Sequence, residues 1–109
     1  MAQAVLVLVT CASREEAGQI AGCLVRERLA ACVNVAGPVR SVFRWKGAVE
    51  EQAEHVLLVK TRAELFERLA ARVRELHSYE VPEVIGLPIV LGLAEYLAWI
   101  EQQTGLPEG

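Results

Sequence analysis

A chain of 109 residues and 11.9 kDa has room for one domain, because two separate cores would each bury too little. An apolar fraction of 53% and a mean hydropathy of +0.30 exclude a disordered chain and leave more apolar surface than a small monomer readily hides, which points to self-association. The net charge of -3 combines 11 basic residues with 14 acidic ones, every one a glutamate, so nucleic acid is not the expected partner and chemistry that needs an aspartate is excluded.

Ala4 to Thr10 is rich in Val and Leu on both faces, which predicts a central strand covered on both sides. Ser13-Arg14-Glu15-Glu16 then fits a capping box, with the hydroxyl taking an N–H of the first turn and the glutamate reaching back. Ala17, Ile20, Ala21, Leu24, Val25 and Leu29 follow at helical spacing, so an amphipathic helix is predicted. Ala31 to Val35 returns to strand character and Gly37-Pro38 interrupts it. Ser41 to Lys46 alternates, placing Phe43 and Trp45 on one face, and Lys46-Gly47 predicts a tight turn into a return strand. That return strand is polar over Glu50–His55 and apolar over Val56–Val59, so its first half should project beyond the core and need a partner.

Thr61-Arg62-Ala63-Glu64 has the form of a second capping box, opening a helix with Leu65, Phe66, Leu69, Val73 and Leu76 on one side that ends near His77. Val84–Leu91 is a predicted strand, in which Pro88 demands a sheet edge or a bulge. Ala94 to Gln103 is a short helix carrying Tyr96, Leu97, Trp99 and Ile100. The predicted fold is α+β of the ferredoxin-like, split βαβ type (βαββαβ), with a long hairpin between the second and third strands and a helix at the end. Right-handed crossovers place the fourth strand beside the first at an edge, which suits Pro88. One domain over residues 1–109 is expected, ordered from about residue 4 to 103, with 104–109 a loose tail.

Met1 to Val9 lacks the positive start of a signal peptide, and the apolar run Val84 to Ala94 falls well short of the ~20 residues that span a bilayer. Cys11, Cys23 and Cys32 are widely spaced and odd in number, neither a disulfide framework nor a CxxC knuckle. Reduced thiols in a cytoplasmic protein are the expected state.

Several strings are more specific than periodicity. Leu29-Ala30-Ala31-Cys32-Val33-Asn34, Trp45-Lys46-Gly47, Lys60-Thr61, His77-Ser78-Tyr79-Glu80-Val81-Pro82-Glu83 and Tyr96-Leu97-Ala98-Trp99 occur in an order and at intervals that resemble the CutA divalent-cation-tolerance family, from about Val5 to Ile100. The resemblance implies a ferredoxin-like subunit in a tight homotrimer built by pairing of the long strands, similar to the trimer of the PII signalling proteins. It also implies tolerance of copper and other divalent metals. The chain departs from the family pattern at Thr10-Cys11-Ala12, which has no proline, at Ser78 in place of a proline, and at Gly92-Leu93. The copper-ligand positions of the bacterial prototype hold Val9, Leu76 and His77, so only His77 is retained.

His77 is accordingly the leading metal candidate, imidazole being suited to Cu(II) and Zn(II); the alternative is that it serves the last carbonyls of its helix. Glu83, with Glu80, could complete a weak site, or threefold symmetry could gather three copies of His77. His55, in the polar half of the ribbon, is expected to be solvated or at a subunit contact. Cys32 and Cys23 are expected to pack as small hydrophobes, and Cys11 to be the most exposed thiol; it lies two residues beyond the family's metal-cysteine position, and its substitution for that ligand is the less favoured alternative. Lys60, Tyr79, Glu83 and Trp45 are candidates to line a cleft between subunits, Trp45 as an interface anchor. No GxSxG elbow or glycine-rich phosphate loop is present, so a non-enzymatic role is expected, with no obligatory cofactor but a divalent metal such as Cu or Zn. The alternative to metal tolerance is a PII-like sensor that binds a small ligand in the inter-subunit cleft.

Overall fold

The computed structural model describes residues 2–105. The first strand, β1, is Ala4–Cys11, and Ser13 caps the helix α1, Arg14–Arg26. The Ser13 hydroxyl accepts the Glu16 N–H at 3.1 Å, and Glu16 returns a carboxylate oxygen to the Ala12 N–H at 3.3 Å, so the expected box forms with its second bond one residue early. The helix stops at Arg26 although its apolar stripe runs on to Leu29. Arg28 turns left-handed at φ 61, while the Leu29 N–H reaches the Leu24 carbonyl and the Arg28 N–H that of Val25. That is a Schellman stop made without glycine, and it tucks Leu29 into the core as its apolar contact.

The strands β2, Cys32–Trp45, and β3, Ala48–Arg62, form one long ribbon joined by Lys46-Gly47, both at positive φ as a two-residue hairpin turn requires. Gly37-Pro38 does not break β2 but makes a bulge. Ala36 faces Val56 and Val39 faces Glu54, so two residues oppose His55 alone. Gly37, at φ 143, has the Glu54 carbonyl oxygen and His55 Cδ2 each 3.0 Å from where a Cβ would sit, so a larger residue would be strained and crowded there. Beyond the bulge the ribbon stands clear of the core, as the polar Glu50–His55 stretch predicts, and the molecule measures 49 × 27 × 21 Å.

Thr61 is not a helix cap. The β1–β3 ladder continues through Thr61↔Val5 and Ala4↔Arg62, and the Thr61 hydroxyl, fully buried, donates to the Leu29 carbonyl at 2.7 Å. A 3₁₀ turn over Ala63–Leu65 leads instead into α2, Phe66–Leu76. The last strand, β4, is Val84–Pro88, shorter than the predicted Val84–Leu91 because Pro88 ends the ladder. The closing helix α3 is Ala94–Gln103. The sheet order β2-β3-β1-β4, antiparallel throughout, places β4 at the edge beside β1. Thr104 and Gly105 are buried rather than loose: the Arg28 side chain donates to the Gly105 carbonyl at 2.6 Å and the Gln102 carbonyl at 2.9 Å. The remainder of the expected tail, 106–109, lies outside the described residues.

Both α1 and α2 pack on one sheet face, where Val5, Val7, Val9, Leu57 and Val59 meet Ile20, Leu24, Leu69 and Val73. The opposite face is covered only at one end, where Ile100 of α3 meets Ala4 and Ala31. The expectation that β1 is enclosed on both sides therefore fails within one chain. Across the bare face run the rows Leu87–Leu6–Lys60–Cys32 and Ile85–Leu8–Leu58–Asn34, with Ile85 50% and Leu87 45% exposed.

Candidate metal centre

The C-terminal end of β1, the first turn of α1 and the residue after α2 meet at one place. Cys11 Sγ, a Glu16 carboxylate oxygen and a ring nitrogen of His77 lie within 4.8 Å of one another. Each arrives for a local reason. Cys11 has the same strand parity as Val5, Val7 and Val9 and so points toward the helices. Glu16 is held over the α1 N-terminus by its bond to Ala12, and the His77 N–H closes α2 on the Val73 carbonyl.

Cys11 is fully buried, contrary to its expected exposure, because β1 runs one residue further than Thr10. Burial, then the Glu16 and Glu54 carboxylates, push its thiol up to about 12, so it is protonated at neutral pH. Glu16 moves the other way. Its partial burial works to raise the carboxyl, but bonds from Ser78 and Ala12, with His77 nearby, outweigh that and hold it below the ordinary carboxylate value. The Ser78 N–H donates to its second oxygen at 2.9 Å.

The His77 ring is enclosed and both nitrogens are in use. Nδ1 accepts the Tyr79 N–H at 3.0 Å, which leaves Nε2 to donate to the Thr10 carbonyl at 2.7 Å. The side chain thus serves β1 and not the last carbonyls of α2. With Nδ1 occupied by the Tyr79 N–H, the 3.8 Å approach of Glu16 to Nδ1 is too long for a hydrogen bond. The Tyr79 ring packs against His77 with centroids 4.7 Å apart, and its hydroxyl donates to Glu54 at 2.8 Å while accepting from Gln52 at 2.9 Å. Burial, then Glu54, push the Tyr79 phenol up to about 12.

Thiol, carboxylate and imidazole together are a donor set suited to Zn(II) and Cu(II). Tetrahedral zinc holds its ligand atoms roughly 3.5 Å apart, a spacing that His77 Nδ1 and the nearer Glu16 oxygen, 3.8 Å apart, almost reach. The residues fit a cation in kind and position, but His77 Nδ1 already accepts the Tyr79 N–H, each Glu16 oxygen accepts one backbone N–H, and the thiol carries its proton.

The other sequence candidates lie elsewhere. Glu83 and Glu80 are exposed and outside the cluster, so the carboxylate that joins His77 is Glu16, a residue read from the sequence only as part of a helix cap. Val9 is buried in the core and Leu76 packs against it. The Lys60 ammonium donates to the Asn34 side chain at the far end of the sheet, and Trp45, 61% exposed, sits at the ribbon tip with Lys46 over its ring. Within one chain Lys60, Tyr79, Glu83 and Trp45 do not converge. His55 faces Cys11 across the ladder, half-buried, with Nδ1 unpartnered among the described residues. Cys23 and Cys32 are partly buried, and all three cysteines are free.

Residues 5–103 match the family described as CutA1 divalent ion tolerance protein. The chain is 50% identical over 100 residues to the divalent-cation tolerance protein CutA of Thermus thermophilus, an alignment covering 92% of this chain and 97% of that one. A solved Cut A1 structure from Thermus thermophilus superposes with a TM-score of 0.92 at 49% identity, over 94% of this chain and 99% of that one. The periplasmic divalent cation tolerance protein CutA from Archaeoglobus fulgidus superposes with a TM-score of 0.89 at 40% identity, over 92% and 97% of the two chains.

Proposed function

The chain belongs to the CutA1 divalent ion tolerance family, and from that premise we propose that it is a non-enzymatic homotrimer that binds a divalent cation weakly and directly at Cys11, Glu16 and His77. The observation that carries this reading is the convergence of a thiol, a carboxylate and an imidazole within 4.8 Å of one another. The affinity is weak because binding must deprotonate a thiol held at about 12 and take lone pairs from the Ser78 and Tyr79 amides. Copper precedes zinc, as the usual order for N, O and S donors requires.

Assembly is supported by the bare sheet face and by the ribbon, whose Val42, Phe43, Trp45 and Val49 are all exposed. Three copies is the number that the family resemblance implies. Lys60, Tyr79, Glu83 and Trp45 are assigned to contacts between copies, Trp45 as the anchor at the ribbon tip. Among the described residues no helix is long and apolar enough to cross a membrane. A reducing, cytoplasmic setting suits the three free thiols.

Isothermal titration of Cu(II) and Zn(II) into wild type and His77→Ala tests the site. Binding tighter than millimolar that disappears in the variant is expected. Wild-type binding no tighter than millimolar, or binding unchanged in His77→Ala, rejects it.

A further inference from the structure

Ser78 to Glu83 joins α2 to β4 without regular structure, and Val81 within it is 81% exposed. Its first two residues nevertheless seal the cluster. The Ser78 N–H occupies Glu16 at 2.9 Å and the Tyr79 N–H occupies His77 Nδ1 at 3.0 Å, while the Tyr79 ring lies against the imidazole. The same Tyr79 ties this segment to the ribbon through its hydroxyl, which donates to the nearly buried Glu54 and accepts from Gln52. One residue therefore bonds to His77 through its backbone and to β3 through its side chain.

Resting on the metal reading above, we propose that the Ser78–Glu83 segment is a strap that competes with a divalent cation for Glu16 and His77, so that cation binding lifts the strap and releases Tyr79 from Glu54 and Gln52 on the ribbon. Two observations support the competition. The Tyr79 amide holds the one lone pair of His77 Nδ1 and the Ser78 amide holds one of the two Glu16 oxygens, and the His77 side chain is fully enclosed, so nothing reaches it while the strap is down. The Thr10 carbonyl still holds Nε2–H, so the imidazole keeps its orientation when Nδ1 is vacated. The cation then acts as an effector: it shifts the equilibrium between strap-docked and strap-free chains by its preference for the second. Apparent affinity is scaled by the strap-free fraction, so a weaker strap binds cation more tightly.

The test uses the full-length assembled protein with Zn(II), which adds no redox chemistry, and follows amide exchange across residues 78–83 by NMR in wild type and zinc affinity in Tyr79→Phe. Zinc is expected to abolish the protection of the Ser78 and Tyr79 amides. Tyr79→Phe, which keeps the amide but loses the hydroxyl bond to a carboxylate, is expected to bind zinc about tenfold more tightly. Zinc binding that depends on His77 yet leaves both amides protected and the Tyr79→Phe affinity unchanged overturns the strap and leaves the site standing. Absence of zinc binding in both wild type and Tyr79→Phe overturns the site, and the strap with it.

Discussion

The Tyr79 amide donates to His77 Nδ1 at 3.0 Å, and this bond decides which ring nitrogen of a fully enclosed imidazole carries its proton. With Nδ1 filled as an acceptor, Nε2 is the donor to Thr10. Imidazole nitrogen NMR shifts of the metal-free protein near neutral pH should therefore report a bare Nδ1 and a protonated Nε2 on His77. A proton on Nδ1 would contradict the arrangement.

The two Ser/Thr-x-x-Glu strings make a controlled pair. Ser13→Ala removes a working helix cap and should cost about 1 kcal/mol. Thr61→Val leaves no cap to lose, but it strips the Leu29 carbonyl of a buried hydroxyl donor and should cost about 1–2 kcal/mol through the stop of α1. Urea denaturation measures both. The discriminating readout is exchange of the first-turn amides of α2, which Thr61→Val should leave unchanged.

Tyr79 makes stability fall at alkaline pH. Its phenol is raised from the ordinary 10.0 to about 12 in the fold, so the fold favours the neutral form. That contribution is full below about pH 10 and is lost as pH rises through about 12. Wild type should accordingly lose more stability than Tyr79→Phe between about pH 9 and about pH 11.5, measured by denaturant titration. Parallel losses in the two proteins would remove Tyr79 as the cause.

The bare sheet face should be where copies meet. Leu87 and Ile85 share rows with Leu6 and Leu8, and a glutamate at either position would place a charge against an apolar partner at a cost of several kcal/mol. Leu87→Glu and Ile85→Glu should shift sedimentation from a particle three times 11.9 kDa toward smaller, less stable species. Variants that stay fully assembled would place the contact elsewhere.

Local features are legible in the sequence and distant ones are not. The Ser13 cap, the Lys46-Gly47 turn and the edge position of Pro88 each depend on a few neighbouring residues, and all three appear as expected. Thr61-x-x-Glu64 has the same form as the Ser13 string but is overridden, because pairing with β1 keeps Thr61 and Arg62 in the strand. The burial of Cys11 was available in the alternation, since it continues the series Val5, Val7, Val9. The place of Glu16 in the cluster is not legible in the sequence, because a capping glutamate already has a sufficient local role. Only the return of His77 across the sheet end, 67 positions from Thr10, gives it a second one.

X-ray absorption at the zinc edge, on the assembled protein loaded with Zn(II), tests the proposed centre most directly. One sulfur neighbour at about 2.3 Å is expected, together with imidazole nitrogen and carboxylate oxygen at about 2.0–2.2 Å, with the sulfur signal disappearing in Cys11→Ser. A coordination shell of nitrogen and oxygen alone in the wild-type protein would contradict it.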